Sequence, residues 1–349
     1  MSVPTPSKAP AMSPRTQYLF FHAAIRRSLA SRSFLCGAVV IAMGSWPLSA
    51  QDTIQIAGDE LTCPACVITV DSVLTIGGLD GPGLEVIDRA SRVAIDRMGR
   101  ILVSVYRSAE IAVFDSSGAF LRTFGRSGEG PGEYALINHV NVGPRYIHVF
   151  DIRGRTVLDH DFDFVRQDRF PAQRSYSHVA DTEDVIFTGV VPTRTSAGKP
   201  LHILNLSGEV ESFGGRGPVV GDPGWDLWPI TGGTQSIWVL EGGDTNHLTK
   251  WNIASLPRNW KVYKRNGEAD LNDLTQDDRG LWVIWGLPDG GRWLDLVDPA
   301  TGRTIARSHD DAIQGVFVDG TGTMFLRRYH ESDAGVPYIT LFRVSLRLP

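Results

Sequence analysis

The chain has 349 residues, of which 42% are hydrophobic and 21% charged, and its formal net charge is −5 at pH 7. That length and balance suit one large globular domain or two smaller ones and exclude a disordered or low-complexity chain. The acidic balance argues against nucleic acid and against anionic membrane surfaces as partners.

Residues 1–50 differ from the rest. They hold Lys8, Arg15, Arg26, Arg27 and Arg32 but no Asp or Glu, and an apolar run from Phe34 to Met43 precedes the small-residue site Leu48-Ser49-Ala50. Basic, apolar, cleavable is the order of an export signal. The apolar run is short for a membrane span, which needs roughly 20 residues, and an uncleaved anchor is the competing reading. Removing the five basic residues takes the formal charge from −5 to −10. No later apolar stretch approaches about 18 residues. The expected product is an exported protein, periplasmic or extracellular, with no transmembrane segment in the mature chain.

Residues 51–67 read as an N-terminal segment carrying Cys63-Pro64-Ala65-Cys66. In an exported chain, two cysteines at this spacing are expected to form a disulfide. Val67 stands where a haem attachment needs His, and Cys36 falls in the leader, so a four-ligand zinc site lacks its second pair.

From Arg92 onward, short alternating strands are split by turn residues. Six units each carry a second strand of the form apolar-x-apolar, starting at Ile101, Ile147, Val185, Ile237, Leu281 and Met324, with starts 38 to 52 residues apart. Such a period with about four strands per unit marks propeller blades. The last unit stops at Pro349 without a fourth strand. Ile68–Ile76 has the fourth-strand pattern with no unit before it, and the string VLTIGGLDGPG at Val73–Gly83 is echoed by FLRTFGRSGEGPG at Phe120–Gly132, which closes a full unit. The sequence therefore predicts an all-β, six-bladed β-propeller over 68–349, its ring closed by an N-terminal strand that completes the last blade. The alternative is a β-sandwich or two small β domains.

Innermost propeller strands line a central channel. Aligning them on Val93, Val140, Val179, Ile230, Leu274 and Val316 places Arg92, His139, His178, Pro229, Asp273 and Gly315 at one mouth. Arg92, His139, His178 and Asp273 are the candidate ligand-binding residues. His139, His178 and Asp273 are candidate ligands for a single metal ion, or an acid and base for a bound substrate. Arg92 suits a carboxylate or phosphate. The plainer alternative is a hydrated polar rim. No organic cofactor is expected.

Three other features read as structural. Asp159-His160-Asp161-Phe162-Asp163 starts like a calcium loop, but Phe164 occupies the sixth position, where the loop needs Gly, so a strand or hairpin is expected. Gly125–Gly132 lacks the Lys-Ser/Thr ending of a phosphate loop and reads as a connection between blades. Trp238 and Trp282 share a repeat position and are expected in the core, whereas Trp225 and Trp228 lie in a Gly/Pro-rich connection, where exposed rings could stack on a sugar or a partner.

The run IAVFDSSGAFLRTFGRSGEGPGEY at Ile111–Tyr134 resembles the NHL-like and TolB-like repeats of six-bladed β-propellers, and its GxGPGE tail resembles bacterial exported members. That resemblance implies either a binding platform or an enzyme. Propeller lactonases, hydrolases and lyases centre a metal in a polar ring, usually calcium held by Glu, Asn and Asp. The set Arg92, His139, His178 and Asp273 departs from that pattern. The expected function is a binding module for a protein, peptide or glycan. The alternatives are a hydrolase-, lactonase- or lyase-like enzyme at the channel mouth and a structural module of a surface complex.

Overall fold

The computed structural model describes residues 53–56, 60–78, 92–104, 109–169, 173–190, 199–214, 230–232, 235–240, 247–254, 260–265, 270–310 and 313–349. The leader, Pro229, Trp225 and Trp228 lie outside them. Among the described residues the strands form six sheets of four or five strands and one two-stranded ribbon, with no helix. The protein is an all-β six-bladed propeller.

Blade 1 runs through Arg92–Ile95, Ile101–Ser104, Ile111–Phe114 and Phe120–Phe124. Blade 2 comprises Ile137–Val142, Ile147–Asp151, Gly154–Leu158 and Phe164–Arg169, and blade 3 comprises Gln173–Val179, Val185–Val190, Leu201–Leu204 and Val210–Phe213. Blade 4 has Ile230–Gly232, Ser236–Leu240, His247–Asn252 and Trp260–Arg265, and blade 5 has Asp270–Gln276, Leu281–Gly286, Arg292–Val297 and Thr304–His309. Blade 6 takes Gly315–Val318, Met324–Glu331 and Pro337–Arg347 from the end of the chain. Its fourth strand is Val67–Gly77, antiparallel to Pro337–Arg347 in a register from Val67↔Arg347 to Gly77↔Tyr338. This is the closure that the unfinished last repeat predicts.

The hairpins follow from a repeated turn chemistry. Asp96 Oδ1 accepts the amides of Met98 and Arg100 at 2.9 and 2.8 Å, and Asp319 Oδ1 accepts those of Thr321 and Thr323 at 2.8 Å each. Gly99 and Gly322 then supply the positive φ (73° and 84°) that reverses the chain. The Asp159–Asp163 segment is another such hairpin, with Asp159 Oδ1 accepting from the amides of Asp161 and Asp163. Its Phe162 is held beneath the guanidinium groups of Arg100 and Arg122 of blade 1. The Gly125–Gly132 stretch does link blades 1 and 2, through a short parallel ribbon of Arg126–Ser127 with Glu133–Tyr134.

Neighbouring blades are joined by apolar clusters. Trp238 and Leu248 of blade 4 pack with Leu271, Val283 and Trp285 of blade 5. Trp282 and Leu294 of blade 5 pack with Val316, Met324 and Leu326 of blade 6. Phe114 of blade 1 meets Phe325 and Ile339 of blade 6. Trp238 and Trp282 are wholly buried, as their shared repeat position predicts.

The segment before the closing strand pairs with the outer strands of two other blades. Thr53–Ile56 pairs in parallel with Trp260–Arg265 and gives blade 4 a fifth, outermost strand. The amides of Thr62 and Cys63 then donate to the carbonyls of Thr304 and Ile305 on the outer strand of blade 5. The chain thus straps the outer edges of blades 4 and 5 before entering blade 6. Cys63 and Cys66 form the expected disulfide, and Cys66 is buried in the cluster between blades 5 and 6. A four-residue strand paired with a distant segment leaves no periodic signal, which is why pattern reading misses it.

Candidate functional site

The innermost strands enclose a cavity of about 460 Å³, lined by residues from all six blades. Val93, Val140, Leu274 and Val316 pack into the interblade clusters. Strand alternation then puts Arg92, His139, Asp273 and Gly315 on the opposite face, and all four line the cavity.

Blade 3 departs from the alignment made on sequence. Val93, Val140, Leu274 and Val316 pair with Val103, Val149, Val283 and Leu326 of their second strands. The equivalent second-strand residue of blade 3, Phe187, pairs with Ser177 and not with Val179. Ser177–Val179 pair in unbroken register with Phe187–Val185, the one shift lying before Ser177. The mouth position in blade 3 therefore belongs to Tyr176. His178 sits two residues further along the strand, in line with Asn141, Thr231 and Thr275.

At the mouth, the Arg92 guanidinium lies 5.4 Å from the centre of the Tyr176 ring, and the His139 ring is 6.4 Å from it. Asp273 Oδ2 accepts the amide of Val316 at 3.2 Å, and Oδ1 accepts that of Leu274 at 2.9 Å. Arg327, at the fourth position of the second strand of blade 6, pairs with Gly315. A Cβ on Gly315 would stand 3.2 Å from Asp273 Oδ2 and 3.7 Å from Arg327 Nε. Glycine here lets the carboxylate and the guanidinium approach one spot. Arg327 escapes a search confined to first strands. Its signal lies in the repeat, where the other five blades have Ser104, Phe150, Thr188, Leu240 and Ile284 at the same position.

Burial shifts the ionisation of this group. Desolvation pushes the Asp273 carboxyl above its ordinary value, while the Val316 amide and the charges of Arg92 and Arg327 oppose the shift. Burial also raises the Tyr176 hydroxyl, with Asp273 adding to the effect and Arg92 opposing it. Further along the strand, desolvation pushes His178 down to about 4 against Asp181 and the Gly232 carbonyl, so it is neutral at pH 7.

Of the four candidate residues, the structure gathers Arg92, His139 and Asp273 at one level and sets His178 apart. Among the described residues, no three His, Cys, Asp or Glu side chains come together as a metal-holding group.

A protein-family model described as a 6-bladed beta-propeller matches residues 85–191. The sequence matches no curated protein. Among solved structures, a Bacteroides fragilis protein described as exported aligns with a TM-score of 0.57 at 13% identity, over 85% of this chain and 99% of its own. A luciferin-regenerating enzyme aligns with a TM-score of 0.50 at 9% identity, over 80% of this chain and 95% of its own. Both likenesses are likenesses of fold. No helix among the described residues is long and apolar enough to cross a membrane.

Proposed function

We propose that the protein is an exported propeller that binds a glycan, peptide or protein ligand by an anionic group seated at the Arg92–Arg327 end of the channel. One observation carries this reading. Arg92 and Arg327 flank a single carboxylate, Asp273, beside a glycine that leaves room. A guanidinium offers a planar fork of donors that matches a carboxylate. Channel walls of low dielectric strengthen the attraction relative to water. Export is supported by the basic-apolar-small order of residues 1–50, by the disulfide and by the likeness of fold to an exported protein.

A second reading, a propeller enzyme, is favoured by Asp273 itself. A carboxyl raised by burial and set near Tyr176 and His139 is suited to proton transfer on a bound substrate.

Calorimetric titration of the mature protein with acidic and neutral oligosaccharides and peptides tests the first reading. Arg92→Gln and Arg327→Gln should each weaken an acidic ligand by about tenfold or more, the loss expected for a hydrogen bond to a charged group. Wild-type affinity should rise as pH falls through the raised Asp273 pKa, because protonation removes the competing negative charge. Asp273→Asn should bind more tightly at neutral pH and show no such rise. Equal affinity in the two arginine variants would sink the proposal. Turnover of the ligand that is lost in Asp273→Asn would favour the enzyme.

A further inference from the structure

Two residues further along the inner strands, the lining carries the uncharged polar residues Asn141, Thr231 and Thr275 beside Ala94 and Phe317. Thr231 of blade 4 and Thr275 of blade 5 are only 4% and 6% exposed, yet both line the cavity. A hydroxyl that lines such a cavity is met by water or by a polar group of a ligand. Across the channel, Asn141 Nδ2 donates to Ser177 Oγ at 2.5 Å.

The two levels are two residues apart along each inner strand, which is roughly 7 Å. A ligand held by an anionic group at Arg92 and Arg327 therefore extends its body past hydroxyl and amide groups that both donate and accept. An aliphatic body would leave Thr231 and Thr275 unpaired, whereas a ring bearing several hydroxyls would meet them. The cavity volume falls in the range of small-molecule sites.

The geometry points to a sugar acid as the ligand class, a uronic or aldonic acid with its carboxylate on Arg92 and Arg327 and its hydroxyls toward Thr231, Thr275 and the Asn141–Ser177 pair. This inference rests on the reading of the mouth as an anion-binding end. The acid is either free or the end residue of an acidic polysaccharide.

Calorimetry on the mature protein separates the possibilities. The probes are glucuronate, galacturonate and gluconate, set against glucose, hexanoate, N-acetylglycine and glucose 6-phosphate. At least one sugar acid should bind about tenfold more tightly than glucose, hexanoate or N-acetylglycine. Thr231→Val and Thr275→Val, shown by thermal melting to be folded, should each weaken that sugar acid about three- to tenfold and leave hexanoate unchanged. Hexanoate or N-acetylglycine binding as tightly as every sugar acid would overturn the sugar-acid assignment while leaving the arginine mouth intact. Tighter binding of glucose 6-phosphate would overturn it in favour of a phosphate. Binding of no carboxylate would remove the mouth reading, and this inference with it. Where a sugar acid binds, a tetragalacturonate that binds more tightly than galacturonate assigns the polysaccharide end, and one that binds more weakly assigns the free acid.

Discussion

His202 is wholly buried, and its ring nitrogens are both in use. Nε2 lies 3.1 Å from the Gly189 carbonyl and Nδ1 lies 2.8 Å from Ser212 Oγ, which fixes the neutral tautomer with the proton on Nε2. Phe187 stacks on the ring at 4.9 Å. Burial pushes its pKa down to about 4 from the usual 6.5. The unfolded chain therefore takes up the proton first as the pH falls. Stability present above pH 6.5 is lost progressively toward pH 4, by about 3 kcal/mol for this one group. His178 acts in the same direction. Asp273 acts in the opposite one, since its raised carboxyl contributes stability below the ordinary Asp range that is lost as pH rises through the raised value. Urea unfolding at stepped pH should show wild-type stability falling between pH 6.5 and 4 and a shallower fall in His202→Gln. Equal slopes in the two proteins would mean that the histidine is free to ionise in the folded state.

At the scale of elements, the turn between the first two strands of blade 3 reaches into blade 2. Glu183, fully buried and at a φ of 71°, puts one carboxylate oxygen 2.9 Å from His148 Nε2 and accepts the Arg145 amide with the other. Gly143 makes the approach possible. A Cβ there would overlap the Glu183 carboxylate and stand 2.9 Å from a methyl of Val179. Gly143→Ala should destabilise the protein by about 1–3 kcal/mol, as overpacking of a filled interior does, measured by chemical denaturation. No loss would mean that the turn gives way without penalty. None of this is legible in the sequence, because the partners belong to different blades and share no local period. The strands themselves are legible, since apolar alternation and Asp-x-x-Gly turns are local. The site falls between these cases. Arg92, His139 and Asp273 emerge from the repeat alignment, but blade 3 has the polar Ser177 where the other blades have an apolar residue, and the apolar Val179 poses as the partner of Phe187. That slip substitutes His178 for Tyr176.

At the scale of the whole ring, the closing strand was legible because the last repeat is unfinished, whereas the strap before it was not, because parallel addition of Thr53–Ile56 to blade 4 completes nothing that the repeat leaves open. The two pieces should therefore matter unequally. Removing residues 51–58 takes away Ile54 and Ile56, the latter only 2% exposed against the cluster of Trp238 and Trp285. Burial of that size contributes roughly 2–5 kcal/mol, and the shortened protein should remain a folded monomer with a lower melting temperature. Removing residues 51–80 also takes the strand Val67–Gly77 and the disulfide. The Pro337–Arg347 strand would then be an open edge of 11 residues carrying Ile339, Leu341 and Val344, which the closing strand and the neighbouring blades now cover. A long apolar edge pairs with whatever strand it meets, so the larger deletion should unfold or aggregate. Size-exclusion chromatography with circular dichroism separates the outcomes. A soluble, monomeric, fully β-structured product of the 51–80 deletion would show that blade 6 holds the ring with three strands and that closure by the N-terminal strand is dispensable.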